Sequence, residues 1–393
     1  QFKKDPRFIV SGDGHYYKDE KGRQIFDGLS GLWTCGLGHN VQKINEAITA
    51  QLATLDYSPA FQFGHPASFK LAERIGEFMP AGLNRVFFTG SGSEAVETAL
   101  KIARAYWRQQ GQPSKSKLIG RIKGYHGVNF GGISVGGIGA NRAMFGETLT
   151  VDHLSHTLLA DNLFVRGQPE EGAHLAEELL DVIALHDASN IAALIVEPMP
   201  GSGGVIPPPV GYLDRLREIC DQHNILLIFD EVICGFGRLG TKTGAEAFGV
   251  TPDIIAIAKQ VTNGIIPMGA TVVKQEIYDC FMATSLPDYM LEMPHGYTYS
   301  AHPVACAAAL ATLNELDDQD VFTQVKAIAP YFESLLHGLR NCPHVTDVRN
   351  FGLAGGVTLE SYPGEPAKRP YEIAMKMWQR GFYVRYGGDT IQI

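Results

Sequence analysis

The stretch that decides the fold is ILLIFDEVICGFGR at residues 225–238, in which a continuous apolar run ends in two adjacent carboxylates. A run of this kind predicts a strand that is buried on both faces, as in a parallel sheet covered by helices. Asp230 and Glu231 then stand at the end of that strand, where a charge is costly to bury without a partner. An isolated aspartate at a strand end also commonly caps the following turn, so this segment does not by itself indicate a function.

On either side of this strand, residues 85–275 alternate short apolar runs with amphipathic stretches. The strand-like runs are RVFFTG, KLIGRI and IAALIVEP, and the helix-like stretches are SEAVETALKIARAYW and LDRLREICDQHN. The alternation predicts an α/β fold with a mainly parallel sheet covered on both faces by helices. We expect a large domain at 61–304 and a smaller α+β domain formed by both chain ends, 1–60 and 305–393. The final RYGGDTIQI is typical of the middle of a strand, so we expect the C-terminus to be incomplete.

Composition and charge narrow the classes of function. Hydrophobic residues make up 45% of the chain and charged residues 19%, as in ordinary globular proteins. A net charge of −9 without a cluster of Lys or Arg argues against nucleic acid or an anionic membrane as a partner. The first residues, QFKKDPRF, lack the apolar core expected of a signal peptide, and the sequence has no apolar run of about 18 residues. The six scattered cysteines lack metal-ligand spacing. We expect a cytoplasmic protein with buried thiols, no membrane span and no metal site.

A second apolar run, in DIIAIAKQVTNGIIPMGA at 253–270, ends in the single lysine Lys259 followed by a loop with Asn and Gly. A lysine at a strand end is usually a surface charge whose stem packs on apolar neighbours. In combination with Asp230, however, it suggests a specific chemistry. Its amine can form a Schiff base with an aldehyde, and a nearby carboxylate can keep a pyridine nitrogen protonated.

Two further segments supply what a phosphorylated, planar cofactor needs. FFTGSGSEAVETALKIAR at 87–104 places Gly90, Ser91, Gly92 and Ser93 in a turn that opens a helix, where N–H groups and hydroxyls bind phosphate. The same turn is also typical of a plain helix N-cap. RIKGYHGVNFGG at 121–132 places Tyr125 in a turn rich in glycine, where its ring can stack on a planar cofactor or pack on the core.

Taken together, TGSGSEAVETALKIAR, GYHG, DEVICGFGR and the lysine of AKQVTNG resemble the class III aminotransferases of the fold-type I PLP family, in order and spacing. LSGLWTCGLGHN, TLDYSPAFQFGHP, HGYTYSAHPVACAAAL and GFYVRYGGDTIQ are most similar to the branch that uses β-alanine or other ω-amino acids with pyruvate. The resemblance implies a mainly parallel seven-stranded sheet, pyridoxal 5′-phosphate as cofactor, and an amine donor and an oxo acid as substrates. It also implies a homodimer or homotetramer with shared active sites, a semialdehyde or ketone as product, and alanine.

The resemblance also implies roles for individual residues. Lys259 would carry the cofactor as a Schiff base and transfer the proton, and Asp230 would bond the pyridine nitrogen. The other residues implied to bind the cofactor are Ser91, Gly92 and Ser93 at the phosphate, Tyr125 and Val232 on the ring faces, Glu197, and Thr298 from the neighbouring subunit. The residues implied to contact substrate are Trp33, Arg385, Tyr125 and Gln392. Trp33 could instead be core packing, Arg385 a surface ion pair and Gln392 a solvated side chain.

One position departs from part of the family. In members that use 2-oxoglutarate, a glutamate in the loop after the strand ending in Glu-Pro pairs with the substrate-binding arginine. Here VEPMPGSGGV has Ser202 at that place. Without this partner Arg385 is freer to move, which favours pyruvate over 2-oxoglutarate as the amino acceptor.

Other functions stay open at this point. An aminomutase, a racemase or a dialkylglycine-type decarboxylase would use the same lysine and aspartate, and a mutase or racemase would need no oxo acid. Within the transaminases, the donor could also be taurine, 4-aminobutyrate, a diamine or an aryl-alkyl amine. A nucleotide-binding α/β protein is disfavoured because the G-x-x-x-x-G-K-[ST] spacing is absent. A structural or adaptor role would leave Lys259, Asp230 and Gly92 unexplained.

Overall fold

A computed structural model describes residues 2–146 and 148–393 of the chain. The strands are β1 (Ile9–Asp13), β2 (Tyr16–Asp19), β3 (Gln24–Asp27), β4 (Leu83–Thr89), β5 (Lys117–Arg121), β6 (Val151–Leu154), β7 (Ile191–Val196), β8 (Leu226–Asp230), β9 (Ile254–Ala258), β10 (Gly269–Lys274), β11 (Val345–Phe351), β12 (Ala354–Leu359), β13 (Phe382–Tyr383), β14 (Arg385–Gly387) and β15 (Thr390–Gln392).

The helices connect these strands and cover them. The α-helices are α1 (Ser30–Trp33), α2 (Gln42–Thr54), α3 (Pro66–Phe78), α4 (Gly92–Gln109), α5 (Phe130–Val135), α6 (Gly139–Phe145), α7 (Glu178–His186), α8 (Tyr212–Gln222), α9 (Gly244–Phe248), α10 (Gln275–Met282), α11 (Pro303–Asp318), α12 (Val321–His337) and α13 (Lys368–Gln379). Short 3₁₀ turns lie at Ala160–Asn162, Ala173–Glu177, Ala188–Asn190, Lys259–Thr262 and Gly338–Asn341.

Within the described residues, the largest sheet has seven strands in the order β4-β10-β9-β8-β7-β5-β6. Strands β9, β8, β7, β5 and β6 run parallel, while β10 is antiparallel to both of its neighbours. Every residue of β7, β8 and β9 is buried, because helices pack on both faces of the sheet. The predicted mainly parallel seven-stranded sheet is therefore confirmed, and ILLIFD forms its central strand.

Strand β10 fixes the relative position of the two strands beside it. Its first residue, Gly269, pairs with Ala258 at the end of β9 and with Thr89 at the end of β4. A Cβ at Gly269 would lie 2.6 Å from the carbonyl oxygen of Ser91, so only glycine fits there without a shift. The residue before Lys259 and the turn before α4 are thus held in register by a single backbone position.

Two smaller sheets are built from the chain ends. Strands β1, β2, β3 and β13 form one sheet, in which Phe382 pairs in parallel with Phe26 and so joins the two ends of the chain. Strands β11, β12, β15 and β14 form the other. The final segment differs from the expected single strand, because Gly387 and Thr390 pair across a tight hairpin between β14 and β15.

Helix α11 belongs to the core of the large sheet. Its buried face, which includes Ala305, Ala309 and Leu313, packs with residues of β7, β8 and β9 in one hydrophobic cluster. The expected domain limit at 304/305 falls within the first turn of this helix. The division at 60 and 304 stays a prediction.

The six cysteines are free, and their burial differs from the expectation. Cys220, Cys234 and Cys306 are buried, but Cys342 is exposed and the other two are partly exposed. The prediction of uniformly buried thiols is wrong at Cys342, which lies in the turn before β11, where no helix covers it. Among the described helices, none combines the length and apolar character needed to cross a membrane.

Candidate active site

A cleft of about 540 Å³ opens at the carboxyl ends of the central strands, next to the N-terminus of α4. This is the edge of a parallel sheet at which ligands are generally bound. The residues that line it are Ser91, Gly92, Ser93, Tyr125, Gly127, Glu197, Asp230, Val232, Ile233 and Lys259.

Lys259 enters the cleft directly after β9, at the first residue of a 3₁₀ turn and with a φ of +56°. Its ammonium group makes no hydrogen bond or ion pair with any described residue. Burial lowers the pKa of Lys259 to about 8, although the carboxylates of Asp230 and Glu197 oppose this shift. A lysine with such a pKa is partly neutral near physiological pH, as a Schiff-base lysine has to be.

Asp230 lies at the end of the neighbouring strand β8 and is 4% exposed. One carboxylate oxygen is 2.9 Å from Nδ1 of His126, and the other accepts a hydrogen bond from the backbone N–H of Val232 at 3.1 Å. His126 is fully enclosed, and its Nε2 has no hydrogen-bond partner among the described residues. The carboxylate is thus held at one defined position in the cleft.

His126 is a residue that the sequence prediction missed as a partner of Asp230. The two residues are 104 positions apart, so no local spacing connects them. The available signal was the position of GYHG directly after a predicted strand, because the carboxyl ends of β5 and β8 lie at the same edge of the sheet. Glu231, the second carboxylate of the starting motif, instead accepts hydrogen bonds from Gly244 and Ala245 at the start of α9.

Glu197 is a second buried carboxylate in the cleft, after the end of β7. It accepts hydrogen bonds from the backbone N–H groups of Tyr125 at 2.9 Å and Gly201 at 3.0 Å. Burial raises the pKa of Glu197, and the nearby Asp230 raises it further, whereas His126 opposes the shift. Glu197 therefore fixes the turn that carries Tyr125 and the loop that begins at Gly201.

The turn before α4 presents small residues and hydroxyls to the cleft. Ser91 is the N-cap of α4, and its Oγ accepts a hydrogen bond from the backbone N–H of Glu94 at 3.2 Å. Oγ of Ser93 accepts one from the backbone N–H of Val128 at 3.1 Å. The positive end of the helix dipole and the free N–H groups of the first turn point to this end of the cleft, which suits a phosphate.

Gly92 allows α4 to approach the strand ends closely. A Cβ at Gly92 would lie 3.0 Å from a γ-methyl of Val232 and 3.4 Å from Cβ of Ala258. Val232 and Tyr125 are both partly exposed and line the cleft, as the sequence prediction places them. Their relation to a bound ring stays a prediction.

Trp33 and Arg385 lie beside the cleft and are not part of its lining. The Trp33 ring centroid is 5.5 Å from Nζ of Lys259 and 5.3 Å from Cζ of Arg385, so the indole lies near both cations. Arg385 makes no ion pair with any described residue, so the alternative of a surface ion pair is not seen. Trp33 is 1% exposed and packs with Leu29 and Ile233.

The segment that carries Trp33 has an unusual backbone. Ser30, Gly31 and Trp33 have φ values of +52°, +69° and +58°, and positive φ is unfavourable for a side chain as large as indole. Asp27 stabilises this conformation, because its carboxylate accepts hydrogen bonds from the backbone N–H groups of Leu29 and Gly31. Strain of this kind is often found where a side chain must be held at a binding site.

The remaining predicted residues lie farther from the cleft. Gln392 is completely buried, and its amide nitrogen donates to the carbonyl oxygens of Gly201 and Ser202, so it is not solvated. It pairs with Arg385 across the β14–β15 hairpin. Thr298 is exposed and is not part of the cleft lining, while its carbonyl oxygen accepts a hydrogen bond from the Tyr57 hydroxyl.

These residues fit pyridoxal phosphate. The cleft joins a partly buried lysine without an ion-pair partner among the described residues, a carboxylate fixed at an adjacent strand end, and a helix N-terminus with a glycine at which a Cβ would be crowded. The three groups match the aldehyde, the ring nitrogen and the phosphate of that cofactor in chemistry. A sheet of this topology with such a cleft defines a PLP-dependent enzyme.

The chain belongs to the class III aminotransferases, because the family model "Aminotransferase class-III" matches residues 2–393. It is 61% identical to the β-alanine–pyruvate aminotransferase of Pseudomonas aeruginosa, over 100% of this chain and 88% of that protein. It is 58% identical to the ω-amino acid–pyruvate aminotransferase of Pseudomonas putida, with the same coverage of both chains. A solved amine transaminase from an uncultivated Pseudomonas species, in its PLP-bound form, superimposes with a TM-score of 0.92 at 40% identity, over 100% of this chain and 90% of that one. The predicted family is confirmed.

Proposed function

We propose that this protein transfers the amino group of β-alanine, or of a similar ω-amino acid or amine, to pyruvate with pyridoxal phosphate as cofactor. The observation that carries the proposal is Lys259, partly buried and without an ion-pair partner among the described residues, beside the fixed carboxylate of Asp230. The relatives named for β-alanine or ω-amino acids with pyruvate support the choice of substrates. The products would be a semialdehyde or ketone and alanine.

Each part of the cleft has a defined task in this proposal. When bound, pyridoxal phosphate supplies an aldehyde that condenses with amines and a pyridinium ring that withdraws electrons from the reacting bond. Lys259 would hold the aldehyde carbon, Asp230 the ring nitrogen, and the turn at 91–93 the phosphate. Tyr125 and Val232 would contact the two ring faces, and Glu197 would position the Tyr125 turn.

Lys259 would also be the general acid and base. Its Nζ can take a proton from the donor carbon once a donor amine has replaced it, because its pKa of about 8 leaves part of the amine neutral near neutral pH. Asp230 would stabilise the positive charge on the ring nitrogen, and its two hydrogen bonds keep the carboxylate from turning away.

Arg385 would select the acceptor. Its guanidinium has no ion-pair partner among the described residues, and Ser202 supplies no carboxylate, so a two-point contact with the carboxylate of pyruvate is available. Trp33 would limit the space next to it, and Gln392 would hold the loop at 201–202 in place. Replacing Arg385 with glutamine should raise the KM for pyruvate at least about tenfold.

The test is an absorbance scan of the PLP-loaded enzyme, first with β-alanine alone and then with pyruvate. We expect the visible band of bound PLP to disappear with β-alanine and to return with pyruvate, but to return poorly with 2-oxoglutarate. Lys259→Ala should lack both the band and turnover. A band that β-alanine leaves unchanged would reject this donor, and full activity of Lys259→Ala would reject the mechanism.

We infer in addition that two copies of the chain share each active site. Thr298 is exposed and lies outside the cleft of its own chain, which agrees with a contact to the phosphate site of a neighbouring copy. Large apolar side chains flank it at the surface, with Tyr299 65% and Phe61 50% exposed. An apolar surface of this kind is typical of a protein interface.

A further inference from the structure

A second cavity lies next to the cofactor cleft and is lined in part by Trp33. It contains about 490 Å³ of empty space and shares Ile233 with the cleft, while Gln260 directly follows Lys259 in the chain. The residues that line it are Ser30, Trp33, Gly36, Ile233, Gly235, Phe236, Gly237, Arg238, Gln260, Leu316, Val321, Val325 and Leu353. The proposed reaction uses none of this volume.

Arg238 is the one charged residue in this lining. Its guanidinium forms no hydrogen bond and no ion pair with any residue at 2–146 or 148–393, and its side chain is only partly exposed. Burial lowers the pKa of Arg238 to about 10, so the group still carries its charge at neutral pH. A partly buried guanidinium with unused donors needs an anion or water to satisfy them.

Asp27 is the acidic residue with the largest effect on the pKa of Arg238. Its carboxylate already has hydrogen-bond partners of its own. Asp27 bonds Nε2 of His39 at 2.8 Å and accepts from the backbone N–H of Gly31 at 2.5 Å. It forms no salt bridge with Arg238, whose charge it influences only from a distance. The five N–H donors of Arg238 are therefore available to a ligand in the cavity.

Other donors and an apolar wall complete the site. Ser30 lies in the lining, and Trp33 has an indole N–H without an acceptor among the described residues. Gln260 also lines the cavity, but its amide already bonds Gly36 and Asn263. The rest of the lining is largely apolar and contains Phe236, Leu316, Val321, Val325 and Leu353. One cation facing an apolar wall suits a ligand with one negative end and a short hydrocarbon tail.

We propose that the cavity bounded by Trp33, Arg238 and Leu316 binds a short-chain monocarboxylate, with its carboxylate on Arg238 and its alkyl tail against the apolar wall. The cavity is small and partly open to solvent, which restricts such a ligand to a short chain. Such a ligand would lie next to Trp33, whose ring is also near Lys259 and Arg385. The site would act alongside the proposed transamination without taking part in it.

The test is calorimetric titration of butyrate into the PLP-loaded Arg385→Gln variant, in which the other candidate carboxylate site has lost its charge. We expect binding at one site, and at least about tenfold weaker binding when Arg238→Gln is added. Butan-1-ol, which has the tail without the charge, and chloride, which has the charge without the tail, should each compete poorly. Absence of butyrate binding, or equal competition by either control, would overturn the proposal.

A second variant serves as a control in case Arg238→Gln does not fold. Val325→Phe keeps Arg238 and adds bulk at another lining residue of the cavity, so it should abolish butyrate binding while the visible band of PLP and the pyruvate KM stay unchanged. Arg238→Lys should retain part of the affinity, because it keeps the charge. Unchanged butyrate affinity in Val325→Phe would place the ligand elsewhere and reject the cavity as its site.

Discussion

At the scale of single residues, the partial burial of Lys259 should lower the free energy of unfolding of the cofactor-free protein by a measurable amount. Its pKa is about 8 in the fold and 10.5 when exposed, so between these pH values the unfolded chain binds more protons. The free energy of unfolding should therefore rise with pH from about 8 to 10.5, and the penalty below pH 8 is of the order of 3 kcal/mol.

Lys259→Met tests this cost directly. We expect the variant, freed of PLP, to be more stable than the wild type at pH 7, and the difference to vanish above about pH 10.5. Denaturant unfolding at a series of pH values measures both proteins. Substituting the exposed Lys3 with methionine serves as the matched control and should show no such dependence. If the variant remained more stable than the wild type at high pH, the pH-dependent loss of stability could not be due to the Lys259 amine.

His126 offers a second test at the residue scale, of a positioning residue. His126→Asn should lower kcat about tenfold while PLP stays bound, because Asp230 loses one of its two hydrogen bonds. Asp230→Asn should lower kcat further, by about 10²–10³, because the charge itself is lost. Stopped-flow rates and the pH dependence of the visible band measure both effects. If His126→Asn and the wild type shared one pH profile and one kcat, His126 would serve packing alone.

At the scale of elements, the approach of α4 to the strand ends depends on Gly92. Gly92→Ala should weaken PLP binding about tenfold or more, because the new Cβ would lie 3.0 Å from a γ-methyl of Val232, so that this side chain or the helix N-terminus must shift. Val232→Ala in the same protein should restore part of the affinity, since it removes the colliding methyl groups. The PLP dissociation constants of the wild type and the variants are measured from the visible band and compared.

A matched glycine provides the control for this helix. Gly139 opens α6, and a Cβ there would meet nothing within 4 Å, so Gly139→Ala should leave PLP affinity unchanged. If both alanine variants bound PLP equally well, close packing at Gly92 would not be required for PLP binding.

The elements differ in how far their sequences predict them. ILLIFD and DIIAIA are continuous apolar runs, and both form buried strands whose ends carry Asp230 and Lys259. Helix α4 combines an N-cap serine, an amphipathic pattern and Arg108 in its last turn, so its local signals agree with its fold. The sequence does not predict the hairpin β14–β15, because strands of three residues are too short to show a periodic pattern of apolar residues.

The same contrast holds for the site. Lys259, Asp230 and the turn at 91–93 follow from segments in which strand, turn and helix signals coincide. The pairing of His126 with Asp230, the positive φ of Trp33 and the cavity around Arg238 depend on contacts between distant segments. Such contacts leave no trace in local pattern, so the structure is needed to find them.

At the scale of the whole molecule, shared active sites predict complementation between two inactive variants. Lys259→Ala and Thr298→Asp should each be inactive, the second because a carboxylate would repel the phosphate. Mixed dimers would contain one intact site, with Lys259 from one subunit and Thr298 from the other. Mixing the unfolded variants and refolding them should restore about a quarter of the wild-type activity, as random pairing of subunits requires.

Activity after mixing is measured with β-alanine and pyruvate, and the two variants refolded separately serve as controls. If the mixture stayed as inactive as either variant alone while forming dimers, Thr298 would act within its own chain and the shared site would be wrong. Light scattering after size-exclusion chromatography establishes the dimers.

The pairing of Gly269 with both Ala258 and Thr89 has a consequence for how such a protein can evolve. The amine that anchors the cofactor and the turn that receives its phosphate are two strand spacings apart, roughly 10 Å, and hydrogen-bond register sets that length. Trp33 and Arg385 come from segments outside this sheet. Mutation can therefore reshape the choice of amine in one part of the molecule while the spacing that serves the shared chemistry is inherited unchanged.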